Sequence, residues 1–167
     1  MSEDANANGT TAESVQQPPR LSIVLQYIKD ISFENPKAPA GLQGNERPEI
    51  QIKVDTRATQ VSNEGHYEVV IDLNVEAKAA GDTIFLLELD YAGVFQIANI
   101  PPDSLQPLLM IECPRLLFPF ARRIVADMTR DGGFPPLMID PIDFVTLYRQ
   151  RLASAAAQGS QPTTDLA

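Results

Sequence analysis

The chain has 167 residues, a formal net charge of −9 and a hydrophobic share of 44% against 21% charged, which excludes wholesale disorder and fits one domain with a modest core. No apolar run reaches the roughly 18 residues of a membrane span, and a single Cys (Cys113) and a single His (His66) exclude a disulfide framework and a His/Cys zinc site. The acidity argues against nucleic acid as a partner, because phosphate affinity comes from Lys and Arg.

Residues 1–20 are polar, with no apolar period, and predict a flexible N-terminal tail without a secretory signal and a cytoplasmic protein. A domain is expected over 21–152. Leu21–Phe33, rich in aliphatic and β-branched residues, reads as the first strand. The turn-rich stretch ENPKAPAGLQGNERP follows, and its prolines forbid a helix. Glu49–Asp55 alternates, with Ile50, Ile52 and Val54 on one face. Tyr67–Lys78 alternates more clearly, with Tyr67, Val69, Ile71, Leu73 and Val75 opposite Glu68, Asp72, Asn74 and Glu76. Ile84–Ile97 is the fourth strand, and Gly93 within it suggests a bulge or bend. The simplest topology is a four-stranded antiparallel sheet.

From residue 100 the period becomes helical. Leu105, Leu108, Leu109 and Cys113 form one pattern; Phe120, Ile124 and Met128 anchor a second, from about Leu116 to Arg130. Pro114 and Pro119 allow only a break, a first turn or a kink. In the last helix Asp140 is the expected N-cap, Pro141 fits the first helical position, and Phe144, Leu147, Tyr148 and Leu152 make an apolar stripe. Residues 153–167 predict a flexible C-terminal tail. Strands followed by helices give an α+β fold.

The acidity is unevenly spread: residues 21–99 carry −6, whereas 100–152 are neutral. Phosphate loops, dinucleotide-binding turns and nucleophile elbows are all missing. His66 reads as a surface turn residue and Cys113 as a packing residue, although a small enzyme using Cys113 or the Asp140/Asp143 pair is an alternative. What is left over is apolar material. The fourth strand is apolar on both sides, and Leu116–Phe120 is a concentrated block, so either self-association or an apolar binding surface is expected.

The block Ile28-Lys29-Asp30-Ile31-Ser32-Phe33-Glu34-Asn35-Pro36 resembles the start of the SecB protein-export chaperones. The resemblance continues through Tyr67–Val70, Glu88, Gly93–Phe95, Cys113–Arg122, Gly133–Leu137 and Pro141–Phe144, in order over roughly residues 22–152. It implies a cytosolic, ATP-independent holding chaperone that binds unfolded secretory precursors and passes them to the SecA motor. It also implies a homotetramer, a dimer of dimers, with no cofactor, no metal, no catalytic residue and no direct membrane insertion. The matching positions for an acidic motor-docking surface are Asp30, Glu34, Leu86 and Glu88. Those for a client groove are Leu42, Ile50, Ile52 and Val54, with Tyr148 and Leu152. The chain departs from many relatives in lacking a Trp in the crossover loop, where Gly44-Asn45-Glu46-Arg47-Pro48 stands. That departure makes a chaperone of the same fold dedicated to a toxin–antitoxin partner the second reading.

Overall fold

Strict alternation of side chains builds the sheet. β1 (Arg20–Glu34), β2 (Glu49–Ser62), β3 (His66–Ala79) and β4 (Asp82–Ala98) pair antiparallel in the order β1-β4-β3-β2. The computed structural model describes residues 17–44 and 47–158. β1 and β2 are thus the two edges, and the segment after β1 crosses the whole sheet, making a short 3₁₀ turn at Ala40–Leu42.

One face of the sheet is packed by helices. Val69, Ile71, Leu73, Val75 and Ala77 of β3 and Phe85, Leu87, Leu89, Tyr91 and Phe95 of β4 all turn inward and are buried. At about 25 cal/mol per Å² of buried apolar surface, each such side chain contributes roughly 1.5–3 kcal/mol.

The helical half is more continuous than its prolines suggest. α1 (Pro102–Pro107) leads through a π-turn (Leu108–Glu112) into α2 (Cys113–Asp131), so the two expected helices are one run. Pro114 has no N–H to give a helical bond, and it falls where the π-turn hands over to α2. α2 lays Leu117, Ala121, Ile124 and Val125 on the sheet and turns Leu116 and Phe120 away.

Gly93 does not mark a bulge. β4 runs through it in unbroken register, and a Cβ there would stand 2.7 Å from Leu117 Cδ2, so the glycine admits α2 to close packing. The irregularities nearest to it lie opposite, in β1, where the register shifts between Ile23 and Leu25 and between Ile28 and Asp30.

α3 (Phe144–Gln158) also starts later than expected. Asp143, rather than Asp140, caps it: Asp143 Oδ1 accepts the Val145 and Thr146 N–H groups at 3.0 and 3.1 Å. Pro141 therefore precedes the helix. α3 continues six residues past the domain limit expected at 152, and β1 begins at Arg20; residues 1–16 and 159–167 of the expected tails fall outside the described residues.

Candidate functional site

A cavity of about 950 Å³ opens where the crossover segment, the β3–β4 turn and the linker after α2 converge. Leu42, Pro48 and Ile50 form one wall; Phe134, Pro135, Pro136 and Leu137 form another; Ile84 and Phe85 form the floor. Aromatic contacts brace the floor: Phe33 stacks on Phe85 with ring centres 5.7 Å apart, and Phe134 lies tilted against Phe85 at 4.9 Å. The walls are tied down by buried polar groups. Thr129 Oγ1 donates to the Val125 and Ala126 carbonyls and accepts the Leu137 N–H at 2.9 Å. Asn35 Nδ2 donates to the Gly132 carbonyl at 3.1 Å, joining the end of β1 to the end of α2. Gly132 has no room for a side chain there, since a Cβ would lie 2.3 Å from Phe33 Cζ. Lys37 and Asp82, paired at 3.0 Å, sit at the cavity rim.

The resemblance assigns six residues to the client groove, and the structure brings Leu42 and Ile50 to this cavity. Ile52 and Val54 continue the same face of β2 beyond it; Ile52 is exposed and Val54 packs against the core. Tyr148, half-buried, and Leu152, exposed, lie on α3 away from the cavity wall. Phe85, Phe134 and Leu137 were missed as lining residues. The Gly133–Leu137 block was visible as a motif, but nothing in its own spacing says that it faces Leu42 and Ile50.

The opposite face of the sheet is polar. Asp30, Ser32 and Glu34 of β1 pair with Asp90, Glu88 and Leu86 of β4, so the four residues assigned to motor docking share one corner of this face. β1 and β4 contribute four carboxylates here. Asp90 is held by Arg57, whereas Asp30, Glu34 and Glu88 make no ion pair or hydrogen bond with any described residue. All three are exposed, and Leu86 is half-buried among them.

Elsewhere on this face several charges are paired, Glu76 with Lys78 at 3.2 Å among them. Lys29 Nζ reaches both oxygens of Glu68, at 3.0 and 2.7 Å, and Tyr27 donates its hydroxyl to the same carboxylate. The Lys29 and Tyr27 hydrogen bonds hold the Glu68 carboxyl below its ordinary range, while the Tyr27 hydroxyl is pushed up to about 12. At the free edge of β2, Arg151 of α3 bonds the Thr56 carbonyl and the Asp55 carboxylate, and Asp55 Oδ1 also accepts the Thr56 N–H at 2.7 Å.

The enzyme candidates find no support in this geometry. Cys113 is fully buried, and desolvation pushes its thiol up to about 12, far from a reactive thiolate. Asp143 is occupied in capping α3.

A third surface is apolar. Ile23, Val24, Leu25 and Ile28 of β1 and Leu116 and Phe120 of α2 are all exposed. Tyr91 links the two elements, pairing in register with Ile28 and stacking on Phe120 with ring centres 6.4 Å apart, whereas Leu25 pairs with Val94 on the other face. None of the described helices is long and apolar enough to cross a membrane.

Comparison with known proteins gives the family. Residues 14–155 match the family model for preprotein translocase subunit SecB. The protein-export protein SecB of Dinoroseobacter shibae is 52% identical, with 98% of each chain covered. That of Methylocella silvestris is 55% identical over 95% of this chain and 98% of its own, and that of Afipia carboxidovorans 56% over 91% and 96%. Among solved structures, a Mycobacterium tuberculosis SecB-like chaperone in complex with a peptide from the HigA1 antitoxin shares the fold. Its TM-score is 0.58 at 15% identity, covering 74% of this chain and 91% of that one.

Proposed function

The chain belongs to the SecB family and is a non-enzymatic chaperone of the Sec translocation pathway; from this premise we propose how its three surfaces divide the work. The 950 Å³ cavity takes apolar segments of unfolded precursor proteins in the bacterial cytoplasm, without ATP. The corner formed by Asp30, Glu34, Leu86 and Glu88 docks the SecA motor, and the apolar β1–α2 surface joins copies of the chain into a homotetramer.

Each assignment has a physical support. The cavity is walled by two separate segments over a fixed aromatic floor, so it accepts side chains of different shape without rearranging the sheet. Several such cavities on one assembly raise affinity through effective concentration, and binding only the unfolded state holds a client back from folding by mass action. The acidic corner carries the motor reading through one observation: its three carboxylates are unpartnered, so a basic surface meets them without first breaking an internal ion pair. The assembly reading is supported by the exposed apolar residues of β1 and α2, where Ile28 and Phe120 meet at Tyr91 and a second copy would cover them. The export relatives, at 52–56% identity, outweigh the antitoxin-peptide chaperone, whose 15% identity speaks for the fold alone.

The test separates the surfaces. Purified chain at a stoichiometric ratio is expected to slow refolding of a secretory precursor, and Leu42→Asp is expected to abolish that delay while SecA binding persists. Glu88→Lys is expected to do the reverse. Loss of both activities in Glu88→Lys would place Glu88 in the fold or assembly instead. Solution mass with and without a precursor reads the tetramer and its client stoichiometry together.

A further inference from the structure

Four aspartates lie in one rank across the outer face. Asp30, Asp90, Asp72 and Asp55 are successive cross-strand partners, one from each strand. Strands about 4.8 Å apart bring these like charges well inside the Debye length of about 8 Å at physiological salt. The cations in this rank are unequally placed. Arg57, on β2, reaches over β3 to β4: one guanidinium nitrogen bonds Asp90 and the other stands 3.5 Å from Asp72. Arg151 of α3 attends to Asp55 at 3.1 Å. Asp30 alone in the rank keeps an unpartnered carboxylate, and it belongs to the same corner as Glu34 and Glu88. Burial and the neighbouring Asp90 push the Asp72 carboxyl up despite Arg57, so the rank is short of positive charge even with that cation present.

We propose that Arg57 is a specificity-determining residue for motor docking: by closing Asp72 and Asp90 it keeps the free negative charge of the β1–β4 side of this face at the Asp30–Glu34–Glu88 corner, and so sets where and how tightly a basic partner surface seats. The proposal rests on the motor-docking reading above. Without Arg57 the acidic corner extends through Asp90 to Asp72, toward the middle of the sheet. A basic partner then meets two more carboxylates, at a position where its register on the face is no longer fixed.

The experiment is a titration of the whole protein with SecA at several salt concentrations, with circular dichroism and solution mass as controls for fold and assembly. Arg57→Gln is expected to bind about threefold tighter at low salt, with a steeper salt dependence. Arg57→Gln combined with Asp90→Asn, which restores the net charge, is expected to return to wild-type affinity and slope. Arg57→Lys, which keeps the charge, is expected to stay near wild type. Unchanged affinity and slope in Arg57→Gln, with Glu88→Lys still weakening SecA, overturns the role of Arg57 and leaves the docking corner standing. Indifference to both Arg57→Gln and Glu88→Lys overturns the corner itself. A gain that persists after Asp90→Asn is added, or that Arg57→Lys shares, also overturns the charge argument. Should Arg57→Gln fail to fold, Asp90→Asn alone serves: with Arg57 left over-positive, it is expected to weaken docking about twofold, and unchanged docking overturns the proposal.

Discussion

Neighbouring residues on β4 live in different media. Phe85, Leu87 and Leu89 are sealed under the helices, whereas Leu86, Glu88 and Asp90 face solvent one residue away. The inner face is close-packed, so each side chain there is held by several others, and removing one leaves a cavity. The outer face buries Val70 and Ala92, but its polar residues are held by pairwise charge contacts, or not at all. Stability therefore concentrates on one side of a sheet a single residue thick, and the other side is left free to vary its chemistry. The resident charges of the outer face divide again, into the closed Lys29–Glu68 and Arg57–Asp72–Asp90 clusters and the open corner at Asp30, Glu34 and Glu88.

This contrast breaks first, if it breaks, at the inner face. Leu117→Ala empties a fully buried site between α2 and β4 and is expected to cost about 2–5 kcal/mol in urea unfolding at fixed protein concentration; a cost below about 1 kcal/mol would mean that the helix layer is loosely held. Thr129→Val strands the Leu137 N–H and is expected to cost about 1–3 kcal/mol, while also weakening client capture as the cavity wall loosens. Asp143→Ala is a smaller change, a partial loss of helix signal by circular dichroism from fraying at the start of α3.

The outer face predicts weaker effects with a definite sign. Glu68 has its carboxyl lowered in the folded state by Lys29 and Tyr27. Its contribution to stability is present above the ordinary Glu value of about 4.3 and is lost as pH falls through the lowered folded value. Glu68→Gln is thus expected to shrink the fall in thermal midpoint between about pH 6 and pH 3, and an unchanged fall would remove the Lys29–Glu68 contact from any stabilising role. Smallest of all is Glu88→Gln, expected to leave the thermal midpoint unmoved because no internal partner is lost; a clear drop would show that the corner is not open.

The strands were legible in the sequence wherever one face is dry. Val69, Ile71, Leu73 and Val75 repeat every second residue because only that face of β3 meets the helices. The bulges of β1 were not legible, because Val24 and Lys29, the extra residues, are of types that any strand accommodates. Gly93 misled for a related reason: a small residue in a strand signals close approach as readily as a bend, and only the position of Leu117 decides between them. The start of α3 was ambiguous because Asp140 and Asp143 both suit a cap, and the hydrogen-bonding N–H groups belong to Val145 and Thr146. The cavity was half legible. Leu42 and Ile50 came from the family resemblance, but Phe85 and Phe134 join them only in three dimensions, where the start of β4 and the linker after α2 meet the crossover segment. The unpartnered state of Asp30, Glu34 and Glu88 depends on which cations reach them, a matter of cross-strand register that a linear pattern does not contain.

A protein that keeps company with sticky, extended chains has to avoid becoming a template for them. The unpaired edge of β2 is such a template in principle, since a long free edge invites strand after strand to stack. At Thr56 that edge is stoppered: its N–H is taken by Asp55 and its carbonyl by Arg151, both from this same chain. A visiting strand finds a gap in the ladder midway along β2 and has no continuous row to copy. The contact that looks like a minor tether for α3 thus also interrupts the row of backbone groups that such a strand would need.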